Sequence, residues 1–232
     1  MQTAGIIIVR GIVQGVGFRP FVFQKAMDFG ICGTVTNLGS EVEIRAFGAR
    51  FSEFFSEVSR GPPMSRIDTV EVRPLTGIPP AGFFIEPSRE GSLSGMIPPD
   101  IATCEECIHD IDQNGGRYEG YWATSCVNCG PRYSIIRSLP YDRERTSMAA
   151  FPMCPACEKE YTNPKSRRHH AQTIACRECG PGLKLLDPTG NQVRTADPVK
   201  KTASLLDQGH ILAIRGIGGF HLVCIEHSSG EL

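Results

Sequence analysis

The sequence predicts an α+β chain in several parts. A β-α-β-β-α-β domain, with both helices on one face of an antiparallel sheet, is followed by two copies of a small four-cysteine module and a short α/β segment. Three observations carry this expectation. Hydrophobic periodicity switches between strand and helix over the first ninety residues, eight of ten cysteines fall into C-x2-C pairs, and those pairs repeat at an offset of 50. The 232 residues divide accordingly into a first domain at 1–90, a linker at 91–100, cysteine modules at 101–186 and a last segment at 187–232.

In the first domain, Ile6 to Val13 is a β-rich apolar run that Gly15 and Gly17 break. Pro20 suits the first position of a helix running to about Phe29 and closed by Gly30. Val35 and its neighbours form a second strand. In a third, Val42, Ile44 and Ala46 alternate with Glu41, Glu43 and Arg45, and a turn at Leu38-Gly39-Ser40 makes the two a hairpin. Phe51, Phe54, Phe55 and Val58 fall on one face of a second helix, and Val70 and Val72, then Phe83 to Ile85, are further strands.

Pro79-Pro80, the small polar stretch Ser88 to Gly95 and Pro98-Pro99 mark the linker. Beyond it, adding 50 to Cys104, Cys107, Cys126 and Cys129 gives Cys154, Cys157, Cys176 and Cys179. The same offset relates Arg117 to Arg167 and Gly130-Pro131 to Gly180-Pro181. Each module reads C-x2-C-x18-C-x2-C, and four thiolates suit tetrahedral zinc with no open position, so two structural zinc ions are expected. Pairing within each module needs shorter loops than interleaving the two. Cys32 and Cys224 read as small buried hydrophobes, and the six histidines, His227 included, show no second metal spacing. Lys165 to His170 reads as a solvated loop, and Trp122 beside Tyr121 as packing for a zinc knuckle. In the last segment, Pro198 to Gln208 predicts a helix stopped by Gly209, Ile211 to Ile214 a buried strand, and Gly216 to Gly219 a turn.

With 24 basic and 25 acidic residues and no basic segment, the chain lacks the footprint of a nucleic-acid binder. No apolar run approaches a membrane span. The apolar run Ile6 to Val9 ends at Arg10, too short for a signal peptide, so a cytoplasmic location is expected; there, repeated C-x2-C is metal-binding rather than disulfide-bonded.

The segment Gly11-Ile12-Val13-Gln14-Gly15-Val16-Gly17-Phe18-Arg19 joins a strand to a helix. Its glycines can turn backbone amides toward one point, the helix start adds a positive dipole end, and Arg19 supplies a planar fork for phosphate oxygens. The string resembles the signature of the acylphosphatases, G-x-V-Q-G-V-x-F-R, and Gly33-Thr34-Val35-Thr36-Asn37 is similar to their second motif, G-x-V-x-N. The resemblance implies a ferredoxin-like domain in which Arg19 and the amides of Gln14, Gly15, Val16, Gly17, Phe18 and Arg19 hold the phosphate, while Asn37 orients the attacking water. Leu38-Gly39-Ser40 departs from the aspartate-glycine turn of stand-alone members.

Taken together, an acylphosphatase-like domain and tandem cysteine modules resemble the carbamoyltransferase family of nickel-iron hydrogenase maturation. Asn128-Cys129-Gly130-Pro131-Arg132-Tyr133, Pro140-Tyr141-Asp142-Arg143, His170-Ala171-Gln172 and Gly216-Ile217-Gly218-Gly219-Phe220-His221 carry the resemblance. It implies hydrolysis of carbamoyl phosphate here, then adenylation with ATP and transfer to a cysteine of a partner maturation protein, for cyanide ligand synthesis. Residues 187–232 would then be the truncated start of a nucleotide-binding, double-stranded-RNA-binding-type domain. The ATP site and the transfer activity would lie mostly outside this chain. The contrasting expectation is a zinc-ribbon adapter for protein or RNA that carries an inactive acylphosphatase fold.

Overall fold

The computed structural model describes residues 3–91 and 96–225, so the linker residues Ser92 to Gly95 and His227 lie outside the described residues. The chain forms two compact units, one through Gly180 and one from Pro181 on.

The first unit begins with β1 (Ala4–Ile12), α1 (Phe18–Phe29), β2 (Cys32–Leu38), β3 (Glu41–Phe47), α2 (Phe51–Val58), β4 (Arg66–Arg73) and β5 (Phe83–Ile85). The sheet order is β4-β1-β3-β2-β5. Because side chains alternate along a strand, one rung aligns Val72, Ile7, Ile44, Val35 and Ile85 across all five strands. These residues pack with Phe18, Val22, Ala26, Phe51, Phe54 and Val58 of the two helices in a single core.

Two details differ from the sequence expectation. The sheet is mixed, because β5 runs parallel to β2, while the other pairs are antiparallel. The chain leaves β4 at one edge and returns at the opposite edge, and this crossing sets β5 parallel. Helix α1 starts at Phe18, two residues before Pro20, which is tolerated because first-turn amides have no partner inside the helix. The β2–β3 turn is Gly39-Ser40.

Beyond the sheet, α3 (Glu105–Asp112) and α4 (Pro155–Thr162) obey the 50-residue offset residue for residue. Each follows the first cysteine of its module, Cys104 or Cys154. The modules share a small core that includes Ile135, Met148 and Ile174, and buried arginines tie their loops by donating to carbonyls. Arg132, 2% exposed, donates to the carbonyls of Cys126, Val127, Cys129 and Pro131. Arg143 donates to those of Phe151, Gln172 and Ile174. The expectation of a solvated loop at Lys165 to His170 is corrected, since Arg168 and His169 are buried. Tyr121 is buried in the core of the modules, whereas Trp122 is 40% exposed.

The second unit holds α5 (Pro198–Asp207), whose Asp197 side chain caps the helix at Lys200 N, and a hairpin of β6 (Leu212–Arg215) and β7 (Phe220–Val223). Ile211 and Ile214 are exposed, and Cys224 is exposed as well, so the expected buried strand and buried thiol are corrected. One ten-residue helix and a two-stranded hairpin bury too little apolar surface to enclose either. Cys32 is half-buried.

Candidate acyl-phosphate site and metal clusters

The loop between β1 and α1 is shaped by Gly15 and Gly17, at φ +69° and +75°. Both positions need glycine for the left-handed backbone and for space. A Cβ at Gly15 would press on Pro98, Arg132 and Tyr141 at 3.1 to 3.4 Å, and one at Gly17 on Val127 at 3.3 Å. The loop is therefore packed directly under the first cysteine module.

Gln14 is buried and joins three segments. Its Nε2 donates to the carbonyls of Gly39 and Glu41, at 3.0 and 3.1 Å, and its Oε1 accepts from Tyr141 N at 2.9 Å. Arg132 Nε donates to the Gly15 carbonyl. Arg19, in the first turn of α1, donates from Nη1 to Ser88 Oγ at 3.2 Å and from Nη2 to Asp142 Oδ1 at 2.7 Å and the Tyr141 carbonyl at 3.3 Å. A narrow cleft lies between the sheet domain and the cysteine modules, within the first unit, lined by Gln14, Gly15, Gly17 and Arg19 on one side and Tyr141, His170 and Gln172 on the other.

Asn37 is not among the residues lining that cleft. It lies at the end of β2, on the same strand face as Val35, with 1% exposure. Both its Nδ2 and its Oδ1 are buried with no hydrogen-bond partner among the described residues. A buried amide without partners costs about 1–3 kcal/mol, so it marks a place where a further donor and acceptor belong.

The eight module cysteines form two clusters, Cys104, Cys107, Cys126 and Cys129, and Cys154, Cys157, Cys176 and Cys179. Within each, the sulfur atoms all lie within 4.8 Å of one another. Sulfur pairs such as Cys104–Cys126 at 3.8 Å, Cys126–Cys129 at 3.8 Å and Cys154–Cys176 at 3.7 Å match the spacing of about 3.8 Å that tetrahedral zinc with 2.3 Å bonds imposes. Burial pushes the Cys104 thiol up to about 11, so holding all four sulfurs of its cluster as thiolates calls for a cation.

Each cluster receives an arginine from the other module. Arg117 Nη2 reaches Cys157 Sγ at 2.6 Å, and Arg117 pairs with Glu160. Arg167 Nη1 reaches Cys107 Sγ at 3.4 Å, and Arg167 pairs with Asp110. Asp110 and Glu160 are also 50 apart, so the exchange is reciprocal. Neither the arginines' role nor the acidic pair was read from the sequence, although the offset that relates Arg117 to Arg167 was visible there. Asp142 and Arg132 lie in strings that carry the family resemblance, but those strings give no sign of what the two side chains contact. Their contacts to Arg19 and Gly15 span 123 and 117 residues.

A family model described as acylphosphatase matches residues 6–85, and one described as HypF finger matches 103–136 and 153–186. The carbamoyltransferase HypF of Rhodobacter capsulatus is 47% identical over 220 residues, which cover 94% of this chain and 29% of that protein. A crystal structure of full-length HypF in the phosphate- and nucleotide-bound form superimposes with a TM-score of 0.88 at 40% identity, covering 95% of this chain and 29% of the other. The chain thus spans under a third of the length of these relatives. An acylphosphatase of Caldivirga maquilingensis is 46% identical over 76 residues, which are 31% of this chain and 80% of that protein. Through its first domain the chain belongs to the acylphosphatase family, and over nearly its whole length it is homologous to the N-terminal region of the HypF carbamoyltransferases.

Proposed function

We propose that the first unit hydrolyses an acyl phosphate, carbamoyl phosphate above all, as one step of a carbamoyltransferase that works in hydrogenase maturation. The observation that carries this reading is the buried, partnerless amide of Asn37 in the same domain as a glycine loop and Arg19. An inactive adapter would have no reason to keep a costly orphaned amide.

In this reading the phosphoryl group sits against the loop of Gln14 to Arg19, with the guanidinium opposing its charge. Asn37 holds the water, its Oδ1 accepting a hydrogen bond from that water. Water and the acyl phosphate become a carbamate, or another carboxylate, and inorganic phosphate. An acyl phosphate is already activated, so fixed geometry and charge stabilisation of the departing phosphate suffice without a general base.

The clusters suit two zinc ions held by Cys104, Cys107, Cys126 and Cys129, and by Cys154, Cys157, Cys176 and Cys179. With four thiolates each they leave no open position, so zinc would supply structure rather than reactivity. Adenylation with ATP and transfer to a partner's cysteine belong to the rest of such a carbamoyltransferase. Among the described residues no helix is long and apolar enough to cross a membrane. A cytoplasmic place is part of the same proposal.

Phosphate release from carbamoyl or acetyl phosphate tests the reading. Arg19→Ala and Asn37→Ala are each expected to slow it by about 10²-fold or more. Asn37→Ala should leave the thermal midpoint unchanged or raised, because no hydrogen bond is lost and a buried unpaired amide is removed. Equal rates in all three proteins would reject hydrolysis and favour the adapter.

A further inference from the structure

We propose that Asp142 is a positioning residue for Arg19, so that the segment joining the two cysteine modules completes the phosphate-binding part of the site. This rests on the reading of Arg19 as the phosphate-holding cation.

The Arg19 side chain is 10% exposed and that of Asp142 25%. Two of the three acceptors around the guanidinium, the Tyr141 carbonyl and the Asp142 carboxylate, come from outside the acylphosphatase-like domain. The third, Ser88 Oγ, lies at that domain's end. The same short segment holds the loop itself, since Tyr141 N donates to Gln14 Oε1. Arg132 adds a donor to the Gly15 carbonyl, from the region beside Cys129. Loop and arginine are therefore both secured from across the cleft.

Arginine has a long side chain with many rotamers, and fixing it at the moment of binding costs affinity. Acceptors that hold it beforehand remove that cost. A carboxylate beside an anion site could instead act as a competitor that occupies the arginine until phosphate displaces it. The geometry favours positioning. Asp142 engages Nη2 alone, and a planar guanidinium has further edges and donors to offer an anion while that contact stays in place. The Tyr141 carbonyl on the same Nη2 bears no charge and would not be displaced by electrostatics.

The two roles predict opposite signs. Inorganic phosphate is titrated calorimetrically into the full 232-residue chain and into its Asp142→Ala, Asp142→Asn, Arg19→Ala and double Arg19→Ala/Asp142→Ala variants. Acetyl phosphate kinetics are run alongside. Positioning predicts that Asp142→Ala weakens phosphate about tenfold and raises KM by a similar factor, with a smaller effect on kcat. Asp142→Asn keeps an oxygen acceptor on the same stem and should stay within about threefold of wild type. In the Arg19→Ala background, loss of Asp142 should add nothing. Unchanged or tighter phosphate binding by Asp142→Ala overturns the proposal, and so does an equal loss with and without Arg19. If the wild type binds phosphate through Arg19 but releases none from acetyl or carbamoyl phosphate, the hydrolytic reading falls and the binding titrations still decide Asp142. A wild type that binds no phosphate overturns both.

Discussion

Among the described residues His170 is the one non-glycine with a positive φ, 54°. Strained backbone tends to persist where surrounding structure over-determines it, and His170 lies against the cleft with its amide tied to the Tyr161 carbonyl. Burial, then the charges of His169 and Arg19, push its imidazole down to about 3, while Asp142 opposes them. The imidazole is thus neutral in the folded chain at neutral pH. Its depressed value means a stability contribution that is complete above the unfolded value near 6.5 and is lost progressively as the pH falls from there toward 3. Thermal midpoints measured at pH 7, 5 and 4 should therefore fall less steeply for His170→Gln than for wild type. Parallel slopes would assign the acid sensitivity to other groups. Arg19 and Asn37 were legible in the sequence because each sits in a contiguous motif on one strand or turn. The contacts of His170 and Asp142 were not, although the strings around both carry the family resemblance, since that of Asp142 depends on a neighbour more than a hundred residues away and that of His170 on a backbone turn that has no residue signature.

At the scale of elements, the strands and helices of the first domain follow their hydrophobic period closely, down to α2, where Phe51, Phe54 and Val58 face the core. The parallel placement of β5 did not follow, because a three-residue strand carries no sign of the edge it will join. The duplicated modules show a different economy. Each module's arginine serves the other module's thiolates, as Arg117 does Cys157 and Arg167 does Cys107. Four thiolates and a divalent cation leave a net charge of −2, which the incoming guanidinium partly offsets, and donors to the ligands of a metal site commonly change its affinity 10–100-fold. Arg167→Ala should speed metal loss from the Cys104 cluster, and Arg117→Ala from the Cys154 cluster, each by about tenfold. Competition with a chelating dye resolves this, with the unaffected cluster in each variant as internal control. Loss from the cluster of the variant's own module instead would contradict the exchange.

For the whole molecule, the sheet and its two helices have the larger apolar core, whereas the modules combine a smaller one, which includes Tyr118, Tyr121, Ile135, Met148 and Ile174, with cysteine clusters and tying arginines. Metal content near two per chain is expected, and a strong chelator should expose residues 101–180 to protease while 3–91 stay protected. Fragment masses from a timed digest check this, and unchanged protection of the modules would mean that their cores hold without metal. The same dependence links the modules to the phosphate loop, because Arg132 carries the carbonyls around Cys126 and Cys129 on one side and that of Gly15 on the other.

By itself the sequence determined the order of elements, the grouping of eight cysteines into two clusters, and the loop of Arg19 with the strand of Asn37. Hydrophobic period, ligand spacing and turn chemistry are all written within a few tens of residues. Only the tertiary structure decided that Asp142 and Tyr141 meet Arg19, that Arg132 reaches Gly15, and that the two modules trade arginines. Contacts of this kind depend on where finished parts come to rest against each other, and nothing in their local sequence repeats or spaces to announce it.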